Sequence, residues 1–183
     1  MTLSSEPDNW NFRGFHWYET LSTVKMRESA RFLEHRHQEF NVAVRPAKPW
    51  KVQHLYFEDE LLGEPVTLLY RFDLNCNQLY KAEYIFSRVL DGHTINKLVK
   101  AIKVKHGIEL EEEYSNDMYL ASGTLADGTH VQILGLGHLH FHRGKTILYY
   151  QTKEYRGMWG WADGAEPVCE ASLAEQESLI EKL

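Results

Sequence analysis

Apolar positions recur along this chain with two distinct periods. From Val66 to Asp73, Val66, Leu68, Tyr70 and Phe72 alternate with Thr67, Leu69, Arg71 and Asp73, the period of two that predicts a half-buried strand. Asn75 and Asn77 then supply residues that tolerate a left-handed backbone, as a tight turn requires. A return strand follows, with Tyr80, Ala82, Tyr84 and Phe86 on its apolar face and Leu79, Lys81, Glu83 and Ile85 opposite. Beyond Asp91 the period changes. Ile95, Leu98, Val99, Ile102 and Val104 fall close to a spacing of 3.6, with Lys97, Lys100, Lys103 and Lys105 toward water, which predicts an amphipathic helix over about 93–106. Gly107 is its expected left-handed cap, and the lysines near its end complement the helix dipole. The unit from Gly63 to Gly107 therefore reads as a platform whose polar positions are turn residues and solvent-facing lysines.

The flanking segments carry shorter signals. Residues 1–9 are polar and expected to be flexible, 11–18 are an ordered aromatic segment, and 19–26 form a short turn or helix. In 27–50, helix formers precede an alternation of Phe40, Val42 and Val44 that Pro46 and Pro49 interrupt, so a helix or a hairpin fits. A strand is predicted at 52–57 and a turn-rich connector at 58–65. Further strands are predicted at 118–123, 129–134, 136–141 and 145–152, with Asp127-Gly128 and Arg143-Gly144 as hairpin turns. The last residues, 176–183, suit a short C-terminal helix. Strands joined by tight turns are antiparallel, so the fold class is α+β: a single antiparallel sheet with one principal helix packed on it.

Composition agrees with one domain, taken as 10–183. The chain has 183 residues, 43% hydrophobic and 25% charged, enough for one core and short for two. A formal net charge of −6 offers no field to collect phosphates, which argues against nucleic acid or an anionic membrane as partner. The N-terminal stretch lacks the basic and apolar regions of a secretion signal, and no window approaches the roughly 18 apolar residues of a membrane span. A cytoplasmic protein is expected. Cys76 and Cys169 form no CxxC pair and suit a reducing compartment.

Several of these stretches resemble a group of small uncharacterised bacterial proteins. The shared features are Trp10-Asn-Phe-Arg-Gly-Phe-His-Trp17, Leu62-Gly-Glu-Pro-Val66, Tyr70-Arg-Phe72, Leu79-Tyr-Lys-Ala-Glu-Tyr-Ile-Phe86 and a helix ending in His106-Gly107. The group opens with an Asn/Ser-Phe-Arg-Gly-x-x-Trp stretch followed by a hairpin and a helix. Where the group has Trp-Gly-Thr, this chain has Trp17-Tyr18-Glu19-Thr20. The shared motifs are packing patterns, so the resemblance implies a fold and no activity.

Two clusters invite a chemical reading. In His138-Leu-His-Phe-His142 the imidazoles of a strand would share one face about 7 Å apart at each step. His138 and His140 could meet on a divalent metal such as zinc, with His130 on a neighbouring strand as third ligand, or else His106, Asp127 or Glu154. Against this stands the plainer reading of solvent-facing histidines on the polar side of a sheet, or a pH-sensitive interface. No HExxH or CxxC accompanies them. The second cluster, Tyr155, Arg156, Trp159 and Trp161, has the residue types of an interaction surface, or folds back to cap the sheet. Glu109 to Glu113 read as a solvated acidic loop. Arg13 in its aromatic setting suits a structural ion pair or stack. No nucleophile elbow, phosphate loop or dinucleotide fingerprint is present. The expectation is a non-enzymatic binding or protein-interaction module with no required cofactor, able to form a homodimer. The alternative is a metal-dependent enzyme or ligand carrier using the histidine strand.

Overall fold

The computed structural model describes residues 12–41, 49–73, 77–115, 118–136 and 144–153. In chain order these form α1 (Leu21–Arg27), β1 (Arg31–Asn41), β2 (Pro49–Leu61), β3 (Glu64–Asp73), β4 (Leu79–Phe86), α2 (Gly92–His106), β5 (Glu111–Ser115), β6 (Met118–Thr124), β7 (His130–Leu136) and β8 (Lys145–Gln151). All eight strands join one antiparallel sheet in the order β1-β2-β3-β4-β8-β7-β6-β5. Two four-stranded meanders are thus fused through β4 and β8, and α2 carries the chain from the middle of the sheet to its far edge. The fold is α+β, with α2 as the principal helix. Among the described residues, no helix is long and apolar enough to cross a membrane.

Strand pairing fixes which residues share a face. Leu55, Phe57, Leu68, Tyr70, Ala82, Leu148 and Tyr150 belong to one buried cluster with Ile133 and Ala121 of the outer strands. Ile95, Leu98 and Ile102 of α2 and Val24 of α1 complete it, so both helices cover this apolar face. Asp91 caps α2 by accepting from the Thr94 amide at 2.8 Å, and Gly107 closes it at φ +67°, where a side chain would be strained.

The aromatic N-terminal motif is a plug in this core. Arg13 and Gly14 both have positive φ, forming a two-residue turn closed by reciprocal Phe12–Phe15 backbone hydrogen bonds of 2.8 and 3.0 Å. The turn drives both phenyl rings edge-on against Tyr70, at 5.6 and 5.7 Å. Arg13 makes the structural ion pair its setting suggested, 3.0 Å from the buried Glu28 and 2.5 Å from Asp59. Tyr70 donates its hydroxyl to the same Glu28 carboxylate. The Trp17 indole nitrogen donates to Thr129 Oγ1 at 2.8 Å.

Several expectations need correction. Of the helix and the hairpin offered for residues 27–50 the hairpin forms, with β1 pairing antiparallel to β2, while Val42 and Val44 lie outside the described residues. The 58–65 connector is strand except for a two-residue turn, Leu62 and Gly63, both at positive φ. Glu58 and Asp59 are held in the ladder by pairs to Arg31 and Arg13. A register shift beside Phe72 aligns Leu79, rather than Tyr80, with the apolar cluster. Val104 is 86% exposed, because two residues beyond Ile102 it falls on the opposite side of the helix. The acidic stretch supplies β5, an edge strand exposed throughout, in place of a loop. The strand predicted at 129–134 is β7, described from His130 to Leu136, and residues 137–141 of the next predicted strand lie outside the described residues. The predicted C-terminal helix, Cys76 and Cys169 lie outside the described residues.

Candidate functional site

Residues of the other sheet face form rows across the strands. One row runs Arg36, His54, Arg71, Lys81, Gln151, His130. The next, two residues along each strand and so about 7 Å away, runs Glu34, Tyr56, Leu69, Glu83, Tyr149, Gln132. A third holds Thr67, Ile85, Ile147 and Leu134. This face therefore grades from charged to aliphatic within three rows.

Glu83 is the centre of the charged rows and is only 4% exposed. One of its oxygens accepts from Arg71 Nε at 3.1 Å and Nη2 at 2.8 Å, and the other lies 2.8 Å from Lys81 Nζ. Burial pushes the carboxyl up, but the charges of Lys81 and Arg71 outweigh it and hold Glu83 below the usual carboxylate range. Burial lowers Lys81 against the opposing pull of Glu83. The Lys81 ammonium sits 3.9 Å from the Tyr149 ring centroid, a cation–π contact. Tyr149 donates its hydroxyl to Gln132 Oε1, and burial together with Glu83 holds its phenol up to about 12.

His54 lies in the same row, 2% exposed. Its Nδ1 is 3.3 Å from the Tyr56 hydroxyl, and its buried Nε2 has no hydrogen-bond partner among the described residues. Burial, followed by the Arg71 charge, pushes it down to about 4, so the ring is neutral at pH 7.

A cavity of about 190 Å³ opens beside the ionic cluster. The described residues lining it are Arg71, Lys81, Glu83 and Tyr149 at one end, Ile85, Ile147 and Leu134 along its wall, and Leu136 and Lys145 at the other end. A larger hollow of about 390 Å³ lies between the start of α2 and the β5–β6 hairpin, lined by Val89, Ile95, Tyr114, Met118 and neighbours. It contains no acidic or basic side chain among the described residues. Convergent charged groups in a partly apolar recess are the better mark of a binding site, which favours the smaller cavity.

The predicted metal ligands separate. His130 lies on the polar face, its ring 6.2 Å from that of Tyr149, and burial lowers its basicity. His106 packs on the opposite, apolar face, 5.7 Å from the Tyr150 ring, so it cannot join His130 on one ion. Asp127 accepts from the Thr129 amide and hydroxyl at 2.9 and 3.0 Å in the β6–β7 turn. The described residues include no group of three His, Cys, Asp or Glu placed to hold a metal. His138, His140, Glu154, Tyr155, Arg156, Trp159 and Trp161 lie outside the described residues.

Sequence reasoning passed over Arg71, Lys81 and Glu83 although the signal was present. Their alternation with apolar residues put all three on the same side of a predicted hairpin, where cross-strand neighbours interact. Comparison with protein-family models, curated proteins and solved structures gives no match to this chain.

Proposed function

We propose that the protein is a non-enzymatic binding module that receives an anionic partner on the polar face of its sheet, at Arg71, Lys81, Glu83 and Tyr149. The observation that carries this reading is a buried carboxylate held by two cations at the end of an open cavity. Lys145 adds a further cation at the other end, in a chain whose net charge is −6. The local field therefore selects against the sign of the protein as a whole.

The same groups are poorly tuned for acid–base chemistry at neutral pH, which needs a side chain titrating near 7. Glu83 is held ionised, Tyr149 is raised to about 12 and His54 is lowered to about 4. The sheet edges support a protein that works without edge-to-edge pairing. β5 presents Glu111, Glu112 and Glu113 in succession, and β1 carries an irregularity between Phe32 and Glu34 among charged residues, both features that blunt strand addition.

The test is an NMR titration of ¹⁵N-labelled protein with sodium acetate, sodium sulfate and tetramethylammonium chloride at constant ionic strength. Anions are expected to shift β4 and β8 amides saturably, while the cation leaves them unmoved. Absence of any saturable anion response on these strands would overturn the reading. Stoichiometric zinc in the purified protein, lost in His140→Ala, would favour the metal alternative instead.

A further inference from the structure

Resting on that reading, we infer that the cavity takes a short aliphatic monocarboxylate, with its carboxylate at Lys81 and its tail over Ile85, Ile147 and Leu134. The two ends of the ligand follow from the two chemistries of the wall. Lys81 and Glu83 belong to the charged rows, whereas Ile85, Ile147 and Leu134 form the aliphatic row one step further along β4, β8 and β7. Lys81 itself is two such steps from Ile85, but its ammonium leans into the Glu83 row, 2.8 Å from Glu83 and 3.9 Å from the Tyr149 ring centroid. From that row the isoleucines are one step of about 7 Å away, within the reach of a chain of four to six carbons.

Size points the same way. At about 190 Å³ the cavity falls below the roughly 300–1,000 Å³ that holds a drug-sized molecule, which limits the occupant to something like a pentanoate. Charge narrows it further. An ammonium head would meet Lys81 directly, and a doubly charged phosphate would press a second negative charge on Glu83. A single carboxylate can accept from Lys81, whose ammonium has three donors and gives one direction to Glu83. An inorganic anion of the same charge would leave the aliphatic wall unused.

Ligand-induced shifts in ¹H–¹⁵N spectra of the full chain test this, read with acetate, butanoate, pentanoate, 1-butanol and butylamine. Affinity is expected to rise about fourfold with each added methylene, the fold-change that burying one CH₂ gives. Lys81→Met should weaken pentanoate at least tenfold, and Lys145→Met no more than about twofold. Because Lys81→Met disturbs the cluster, Leu134→Trp provides a second variant that fills the wall, leaves every charge in place and should abolish the chain-length dependence at an unchanged melting temperature. Equal affinity for acetate and pentanoate would overturn the inference while leaving the anion-binding reading intact. Binding of butylamine or butanol in preference to the acids would overturn both, as would the absence of any saturable ligand. A larger loss in Lys145→Met than in Lys81→Met would refute the assigned head position.

Discussion

Replacing His54 by phenylalanine removes a buried imidazole whose folded and unfolded states bind protons very differently. In the unfolded chain the ring titrates near 6.5, whereas in the native sheet, buried and facing the charges of Arg71 and Arg36, it titrates near 4. Between these values the unfolded state takes up a proton that the native state refuses. Stability must therefore rise with pH through this window and fall as the solution is acidified. At about 1.4 kcal/mol for each pH unit, the loss attributable to this ring is about 2 kcal/mol at pH 5 and about 3 kcal/mol at pH 4, relative to pH 7.5. His54→Phe cannot make that contribution. Urea unfolding followed by circular dichroism at pH 7.5, 6.0, 5.0 and 4.5 measures it. Any packing change introduced by the phenyl ring is present at every pH and cancels in the comparison, and the half-buried His130 and His106 act equally in both proteins. The wild type should lose about 2 kcal/mol more than the variant between pH 7.5 and 5. Parallel pH profiles for the two proteins, or a wild type that gains stability on acidification, would refute the reasoning.

Other substitutions probe the remaining polar contacts and one helix end. Glu83→Gln should destabilise the fold by about 3 kcal/mol, since it leaves Arg71 and Lys81 without their shared counter-charge, and thermal melts at pH 7.5 measure it. Exchanging the whole cluster in the triple variant Arg71→Met, Lys81→Leu, Glu83→Leu should instead leave the melting temperature equal or higher, while the anion response is lost. Arg13→Met, which strands the buried Glu28 carboxylate and its bond from Tyr70, should cost about 3 kcal/mol in urea unfolding at neutral pH, with the cost shrinking once acid protonates Glu28. Gly107→Ala forces a side chain into the left-handed cap of α2 at φ +67° and should cost about 1 kcal/mol, visible as a small drop in unfolding midpoint with the denaturant slope unchanged.

How much of this was legible in the sequence depends on the range of the interactions involved. α2 was readable because its period and its Gly107 stop are local to one short stretch of chain, although its Asp91 cap went unread. The β3–β4 hairpin was readable for the same reason, down to the left-handed Asn77 at φ +52°. Its exchange of Leu79 for Tyr80 was not, because a bulge breaks the period of two on which the alternation relies. The acidic strand β5 was hidden by its composition: nothing in three successive glutamates favours a strand, and only pairing with β6 makes one. The site shows the same division. Arg71, Lys81 and Glu83 were placed on one face by alternation alone, yet their burial depends on β8 docking against β4 across more than sixty residues of chain. No local pattern reports that pairing, so these charges read as solvated. Tyr149 illustrates the converse, since Tyr149 and Tyr150 are adjacent and only register decides which ring enters the core and which meets Lys81.

The contrast between single and triple exchange at the ionic cluster bears on why the cluster is there. A buried ion group is costly to break but seldom costly to replace as a unit by apolar side chains of similar size. The fold has its core elsewhere: α1, α2 and the Phe12–Phe15 turn all cover the apolar face, and the third row of the polar face already supplies isoleucine and leucine for further packing. Stability alone therefore gives no reason to hold a carboxylate and two cations in the middle of the sheet. Positioning does. With Glu83 pinning both cations from opposite oxygens and the Tyr149 ring beneath the ammonium, Lys81 is fixed before any ligand arrives, and the ordering of a long side chain that usually accompanies ion binding has already been met in folding. Lys81 and Glu83 on β4 and Tyr149 on β8 stand at the junction between the two meanders, with Arg71 reaching in from the neighbouring β3.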